Sequence, residues 1–340
     1  MSEAEKPVVH LSFWGTRGSI STPGRTTEKY GGNTPCVSVR HGNTHLIFDA
    51  GTGIRNLGLE LAAEHARVGE PMTLHLFLSH THWDHIQGLP FFAPAYMKGV
   101  KLIIYGSPSK AGALEHILRG QMKYDYFPVD MSELHAQLQI VEMEEHELTF
   151  GPFTIRWEEQ IYHPGGCVRF KVTYDTRSLV YASDVELDQL FGKGELTPEK
   201  KRHRDQYMKF IKGADVLIGD GQYTAEEYLQ RAGWGHTSIP VLCEVAHQAQ
   251  VRQLAIFHHD PQHTDKTLDE LWKDCNPRYL TAQPPPQCLF CPRRHHPPGL
   301  SCPILGPRYG QWAVPLTGPP SHGNSGPGPQ SLDHRSHRRR

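Results

Sequence analysis

The chain has 340 residues, a formal net charge of −1 and 38% hydrophobic content, room for one large domain or two ordinary ones. Charge is spread unevenly: residues 281–340 hold 13 of the 27 prolines and seven arginines against one aspartate, with no lysine or glutamate, so this segment carries +6 and the first 280 residues −7. That balance argues against a broadly basic face for gripping nucleic acid. No apolar run reaches membrane-spanning length, and seven scattered cysteines suggest no disulfide framework.

The polar, acidic opening, Met1 to Pro7, does not read as a signal peptide, so the expected location is cytoplasmic. Residues 8–14 read as a strand followed by a glycine-flanked loop at 15–18. Residues 36–40 and 45–48 read as a hairpin around 41–44. The intervening Gly31-Gly-Asn-Thr-Pro35 is expected at a pocket rim. After Asp49-Ala-Gly-Thr-Gly53, helical spacing runs through Leu61.

Residues 73–79 form a short apolar run, as a buried strand does, and end on Ser79-His-Thr-His-Trp-Asp-His-Ile-Gln-Gly-Leu-Pro90. Three histidines and a carboxylate, His80, His82, Asp84 and His85, fall within six positions. If the chain stays extended through residue 82, His80 and His82 point the same way, because strand side chains alternate. A turn into a helix then carries Asp84 and His85 to a neighbouring position. Neutral imidazole and carboxylate oxygen are the donors that zinc and related divalent ions accept. Loop histidines are commonly just solvated, but four ligand-type side chains at one strand mouth point to a metal site.

Residues 102–105 read as a strand and 109–122 have helical spacing. The aromatic stretch Gln121-Met-Lys-Tyr-Asp-Tyr-Phe-Pro128 suits lidding a pocket or stacking a base, with ordinary core packing the other reading. A strand over 153–161 leads to His163 in Tyr162-His-Pro-Gly-Gly166, where proline ends the strand and the glycines permit close backbone approach. Strands over 167–174 and 179–182 pair across a turn, and the second delivers Asp184, able to bridge two cations or to cap a helix. Residues 215–219 form another apolar run and 225–231 look helical. Gly233-Trp-Gly-His236-Thr-Ser238 precedes a helix over 238–250. The strand at 253–257 ends on His258 and His259, only one of which can face a site, and a helix over 264–273 closes the domain. Beyond 280 the apolar residues lose their period, and the segment reads as a disordered tail. Within it, Cys288, Cys291, His295, His296 and Cys302 have the spacing of a zinc knuckle, but the apolar residues needed to build one are missing.

The run at 79–90 resembles the His-x-His-x-Asp-His signature of the metallo-β-lactamase superfamily, a resemblance that extends over roughly residues 8–275. It implies an α/β fold: a four-layer αββα sandwich of the metallo-β-lactamase type over residues 1–280, with a disordered Pro/Gly/Arg-rich tail over 281–340. It also implies a dinuclear centre. His80, His82 and His163 would hold one ion, Asp84, His85 and His258 the other, with His259 the rival of His258 and Asp184 bridging. The expected cofactors are two divalent metal ions, Zn2+ first, with Mn2+ or Fe2+ as alternatives. Asp49 matches the family's early aspartate, which orients the metal loop from behind, a helix cap being the other reading. The His236 loop is similar to the Gly-His-Ser/Thr loop of the phosphodiesterase branch, which includes the tRNA 3′-end-processing endonucleases. That similarity implies a catalytic role for His236 at the leaving group, while Asp84 would orient the nucleophile.

Two adjacent divalent ions activate a shared water and stabilise charge on attacking and leaving oxygens. The expected function is therefore hydrolysis of a small-molecule phosphodiester, nucleotide-derived and cyclic nucleotides included. A tRNA 3′-processing endonuclease is the alternative. The chain shows no glycine- and lysine-rich arm, and a body charge of −7 does not favour nucleic acid. Thioester or lactam hydrolysis is a third reading. A non-catalytic remnant would have lost ligands, and here every expected one is present. No membrane partner is expected, and the oligomeric state stays open, a homodimer included.

Overall fold

The structure, a computed structural model, describes residues 9–107, 114–192, 194–275, 287–289 and 311–314. The first half contributes β1 (Val9–Gly15), β2 (Cys36–His41), β3 (Thr44–Phe48), α1 (Ile54–Val68), β4 (Met72–Phe77), α2 (Trp83–Ile86), β5 (Val100–Gly106), α3 (Leu114–Gln121) and β6 (Gln137–Glu142). The second half contributes β7 (Glu147–Phe150), β8 (Phe153–Gln160), β9 (Cys167–Tyr174), β10 (Arg177–Ala182), α4 (Asp188–Phe191), α5 (Pro198–Ile211), β11 (Val216–Asp220), α6 (Ala225–Arg231), α7 (Ile239–Gln248), β12 (Gln253–Phe257) and α8 (Asp265–Cys275). Two short strands follow, β13 (Gln287–Leu289) and β14 (Gln311–Val314). Together the strands form two seven-stranded sheets, β14-β1-β2-β3-β4-β5-β6 and β13-β12-β11-β10-β9-β8-β7.

Strand alternation distributes the apolar side chains among the layers. Leu46, Phe48 and Phe77 of the first sheet meet Phe170, Tyr181, Ile218 and Phe257 of the second in a core between the sheets. Their neighbours Ile47, Leu74 and Leu76 face outward, where Ile54, Leu57 and Leu61 of α1 and Leu114 and Leu118 of α3 cover them. On the other side Val180, Leu217, Leu254 and Ile256 lie under Tyr207 and Phe210 of α5, Leu242 and Val245 of α7 and Leu268 of α8. This is the expected αββα sandwich.

The sequence reading missed several elements, among them the short α4, β6, β7 and α5. β6 and β7 are strands with only partly buried or exposed side chains, so their apolar pattern is faint. α5 reads Pro-Glu-Lys-Lys-Arg-His-Arg-Asp-Gln-Tyr-Met-Lys-Phe-Ile and buries only Tyr207, Phe210 and Ile211. Its start is nonetheless signalled by Thr197, whose side chain accepts from Lys200 N, and by a proline at the first turn. Of the segment 281–340, read as a disordered tail, β13 pairs parallel to β12 and β14 antiparallel to β1. The rest of it, Cys291, His295, His296 and Cys302 included, lies outside the described residues. Among the described residues no helix is long and apolar enough to cross a membrane.

Strand direction positions the site. β3 is parallel to β4, β10 to β11, and β11 to β12, while β8 and β10 each run antiparallel to β9 and so share one direction. The carboxyl ends of β3, β4, β8, β10, β11 and β12 therefore deliver the residues that follow them to one edge of the sandwich, where open α/β sheets usually bind ligands.

Candidate metal centre

Each metal-type residue expected from the sequence follows a strand's carboxyl end: His80, His82, Asp84 and His85 after β4, His163 after β8, Asp184 after β10 and His258 after β12. The fold brings all seven together. His82 Nδ1 lies 3.0 Å from His163 Nε2, and His85 Nε2 lies 3.2 Å from His258 Nε2. Asp84 Oδ2 is 3.1 Å from His258 Nε2 and 3.4 Å from His85 Nε2. Asp184 stands between the two groups, its oxygens 3.7 Å from His80, 3.3 Å from His85, 3.8 Å from His163 and 3.4 Å from His258. His80, His82 and His163 form one convergent trio and Asp84, His85 and His258 another, with donor atoms in each within 4.8 Å of one another. His259 is also buried, but its ring packs edge-on against Tyr30 at 6.1 Å, away from the cluster.

Neighbours set which ring nitrogen faces inward. Nδ1–H of His85 donates to Asp49 Oδ2 at 2.7 Å, that of His163 to Gly235 O at 3.0 Å, and that of His258 to Gln222 Oε1 at 3.1 Å. Each leaves Nε2 as the free donor atom, the arrangement expected behind metal-bound imidazoles. Asp49 is no helix cap. Its carboxylate also accepts Ser79 N–H, Ser79 O–H and Tyr181 O–H at 2.7, 2.8 and 2.6 Å. Asp84 is held by Ser19 N–H at 2.7 Å. Ser19, Asp49, Asp184 and His258 all have left-handed backbone, φ 63, 61, 55 and 61°. Such strain costs about 1–3 kcal/mol per residue and collects at functional sites.

The residues fit a pair of divalent cations. His80 Nε2 is buried without a hydrogen-bond partner and faces Asp184. Burial opposes the charge on Asp84 and Asp184, yet the surrounding imidazoles hold both carboxyls well below the usual range. Burial also opposes a proton on His85, but the flanking aspartates raise its pKa. Burial keeps His80 and His163 below the ordinary histidine value, hence neutral. Two buried carboxylates beside neutral His80 and His163 form a donor set that divalent cations suit.

His236 completes the arrangement. Its ring stacks on His258 with centroids 4.9 Å apart, and its Nδ1–H donates to Asp220 Oδ2 at 2.8 Å. Burial would lower its pKa, but the Asp220 carboxylate outweighs this and pushes it up to about 9. Asp220, Gln222 and Glu186 were missed in the sequence. Asp220 could have been found as a carboxylate at a strand end after Leu-Ile-Gly, like Asp184. Glu186 and Gln222 carry no local signal. Glu186 accepts from Gly233 N, Gly235 N and Tyr228 O–H at 2.8, 3.1 and 2.7 Å, clamping the loop that carries His236. At Gly235, φ is +90° and an added Cβ would lie 2.5 Å from His163 Nδ1, so that position requires glycine.

A cavity of about 410 Å³ opens beside His80 and His82, walled by Leu114 and Ile117 of α3 and by Ile161 and Gly165. The segment 31–35, expected at a pocket rim, packs behind the centre instead: Asn33 O accepts Arg17 N–H, and Thr34 Oγ1 accepts from Gln87 Nε2 and Thr52 N. In the aromatic stretch 121–128, core packing accounts for part of the residues. Met122 is buried and Phe127 packs on Phe91, while Tyr124 and Tyr126 are 88% and 76% exposed.

An αββα sandwich whose strand ends deliver such donors is the architecture of a metal-dependent hydrolase of the metallo-β-lactamase fold, a fold that implies divalent metal ions. Residues 44–259 match the family described as the Beta-lactamase superfamily domain, and the chain belongs to that family. Ribonuclease Z of Pyrococcus horikoshii is 23% identical over 300 residues, spanning 77% of this chain and 90% of that protein. Among solved structures, the metallo-beta-lactamase fold protein YhfI from Bacillus subtilis aligns with a TM-score of 0.57 and 21% identity over 79% of this chain and 93% of that one. Unliganded yeast PDE1 aligns with a TM-score of 0.54 and 12% identity over 80% and 95%. At such identities these two structures speak to fold alone.

Proposed function

We propose that the chain hydrolyses phosphodiesters of nucleotide-derived substrates, with His80, His82 and His163 holding one divalent ion, Asp84, His85 and His258 a second, and Asp184 shared between them. Zinc suits a set of five imidazoles and two carboxylates. The observation that carries the reaction class is His236, fixed by buried Asp220 beside the donor cluster. When bound, two such ions lower the pKa of water and stabilise charge on attacking and leaving oxygens. Asp84, held by Ser19 N–H, orients the attacking water by accepting its hydrogen bond. His236 keeps Nδ1–H on Asp220 and presents Nε2–H to the departing oxygen, to which it gives its proton. Glu186 and Gly235 hold that loop in place.

A second reading is RNA cleavage, which the likeness to ribonuclease Z over most of its length favours. That likeness weighs against setting nucleic acid aside on a body charge of −7, because net charge says little about one local surface. Bis(p-nitrophenyl) phosphate, 2′,3′- and 3′,5′-cyclic nucleotides, an unprocessed tRNA and a thioester, assayed in parallel, separate the readings. Hydrolysis of the small phosphodiesters is expected. Cleavage of the tRNA with little small-substrate turnover selects the second reading, and turnover of the thioester alone overturns both.

A further inference from the structure

The charge of −7 on the first 280 residues is unevenly laid. Residues 198–212, α5 and the lysine that follows it, hold six cations against Glu199 and Asp205, a local charge of +4, so the rest of the first 280 sums to −11. α5 turns Tyr207, Phe210 and Ile211 into the core. At about 100° per residue, Lys201, Arg202, Lys209 and Lys212 fall on the opposite side, and all four are exposed. Asp205, which shares that side, is paired with Arg204 at 3.3 Å. Among the described residues, Lys201, Arg202 and Lys209 stand in no ion pair. From Lys201 to Lys212 the stripe runs about 16 Å, the length of about five stacked nucleotides.

An exposed run of charge is by itself commonly a solvated face, but this one leads to the donor cluster. Lys200 Nζ lies 5.8 Å from the centre of the Tyr162 ring and Tyr162 Oη 3.2 Å from His203 Nδ1, and the next residue is His163. On that same histidine Nδ1–H donates to Gly235 O, and the residue before Gly235 is Trp234, whose side chain is 62% exposed. The loop holds this indole in place: Gly233 N–H and Gly235 N–H donate to Glu186, and Trp234 N–H donates to Arg231 O at 3.1 Å. A cationic stripe joined to a fixed, exposed aromatic ring is the combination that holds single-stranded nucleic acid, the charges attracting phosphates and the ring stacking a base. A membrane surface fits less well, because a helix lying on one turns an apolar face outward, and α5 exposes no large apolar side chain.

We infer that the outward face of α5 and Trp234 together hold a single-stranded nucleic acid, α5 through its phosphates and Trp234 through a base. That the strand held there is one the centre cuts rests on the phosphodiester function proposed above; the surface itself is read from charge and exposure. Fluorescence anisotropy of the metal-loaded full-length chain tests it, with hydrolysis-resistant 2′-O-methyl RNA and phosphorothioate DNA strands of about 20 nucleotides titrated over a range of salt. At least one strand should bind. Lys201→Gln, Arg202→Gln and Lys209→Gln combined should weaken that binding about ten-fold or more at 0.1 M salt and flatten the slope of log affinity against log salt by about 2. Trp234→Ala should weaken it about five-fold or more and leave the slope unchanged. Melting temperature and metal content, equal to wild type, show that both variants are folded. Arg67→Gln, Lys98→Gln and Lys101→Gln, at the opposite edge of the sandwich, remove the same charge and should change affinity less than about two-fold. Binding only to phosphatidylserine vesicles or to polyglutamate, failure of both strands to bind, or equal losses in the two triple variants overturns the surface. Strand binding that depends on α5, without hydrolysis of any phosphodiester, would sink the proposed reaction and leave the surface standing.

Discussion

Among the described residues, Asp184 is the one carboxylate within 3.8 Å of four of the histidines, so its removal should cost the two proposed ions their common partner. Asp184→Ala is expected to reduce bound metal, measured by plasma emission, from two ions per chain to one or none; unchanged content would refute the bridging role. Asp220 holds His236 and also accepts from the backbone N–H groups of Val185, Gln222 and Thr237; an asparagine keeps an oxygen for those groups but removes the charge, which should weaken proton donation by His236. Asp220→Asn is expected to lower kcat about 10–100-fold on substrates with poor leaving groups and far less on p-nitrophenyl esters. Equal losses on both would mean that Asp220 is structural. Gly235 leaves no room for a side chain beside His163, as Gly18 leaves none beside His258. Gly235→Ala should lower metal affinity and activity at least about 10-fold by displacing His163, as read by metal titration and kcat.

At the scale of elements, the site depends on loops that follow strand ends and on what pins them. Glu186 ties together the start of the α4 segment, α6 through Tyr228, and the His236 loop. Glu186→Gln keeps the shape but turns acceptors into a mixed amide, so the loop should loosen. The expected result is a several-fold fall in kcat with faster hydrogen exchange at Gly233 and Gly235. Unchanged exchange would show that the loop is held elsewhere. The metal-motif strand β4 and the histidine strand β12 were legible because they are short, apolar and end abruptly on histidine. β6, β7 and α5 were not, since strands at a partly exposed sheet edge and a heavily charged helix bury too few side chains to leave a period.

At the scale of the molecule, the pH response has a contributor remote from the centre. His45 on β3 is buried, and that burial, reinforced by Arg40, lowers its pKa to about 4. A folded value below that of the unfolded chain means that the unfolded state takes up its proton first. Stability is then complete above about pH 6.5 and falls as the pH drops toward 4, by about 2–3 kcal/mol from this residue. His45→Gln should reduce the loss in denaturation midpoint between pH 7 and pH 5 relative to wild type; an identical loss would assign the acid sensitivity elsewhere. The core between the sheets is stacked from Phe48, Phe77, Phe170 and Tyr181, directly beneath the Asp49 and Ser79 supports.

The amino-acid sequence alone determined the family and the sandwich and singled out seven candidate donor residues, because metal ligation demands particular side chains at particular strand ends and those leave a local signature. It also pointed to His236 and to Asp49. Tertiary structure decided the rest. It chose His258 over His259, since only the three-dimensional path of the chain after β12 settles which ring faces the cluster. It revealed Asp220, Gln222 and Glu186, which reach the site from residues distant in sequence and carry no motif. It paired β13 and β14 to the sheet edges, and it set Arg169 against Tyr207 and Phe210, which meet only because β9 and α5 pack together.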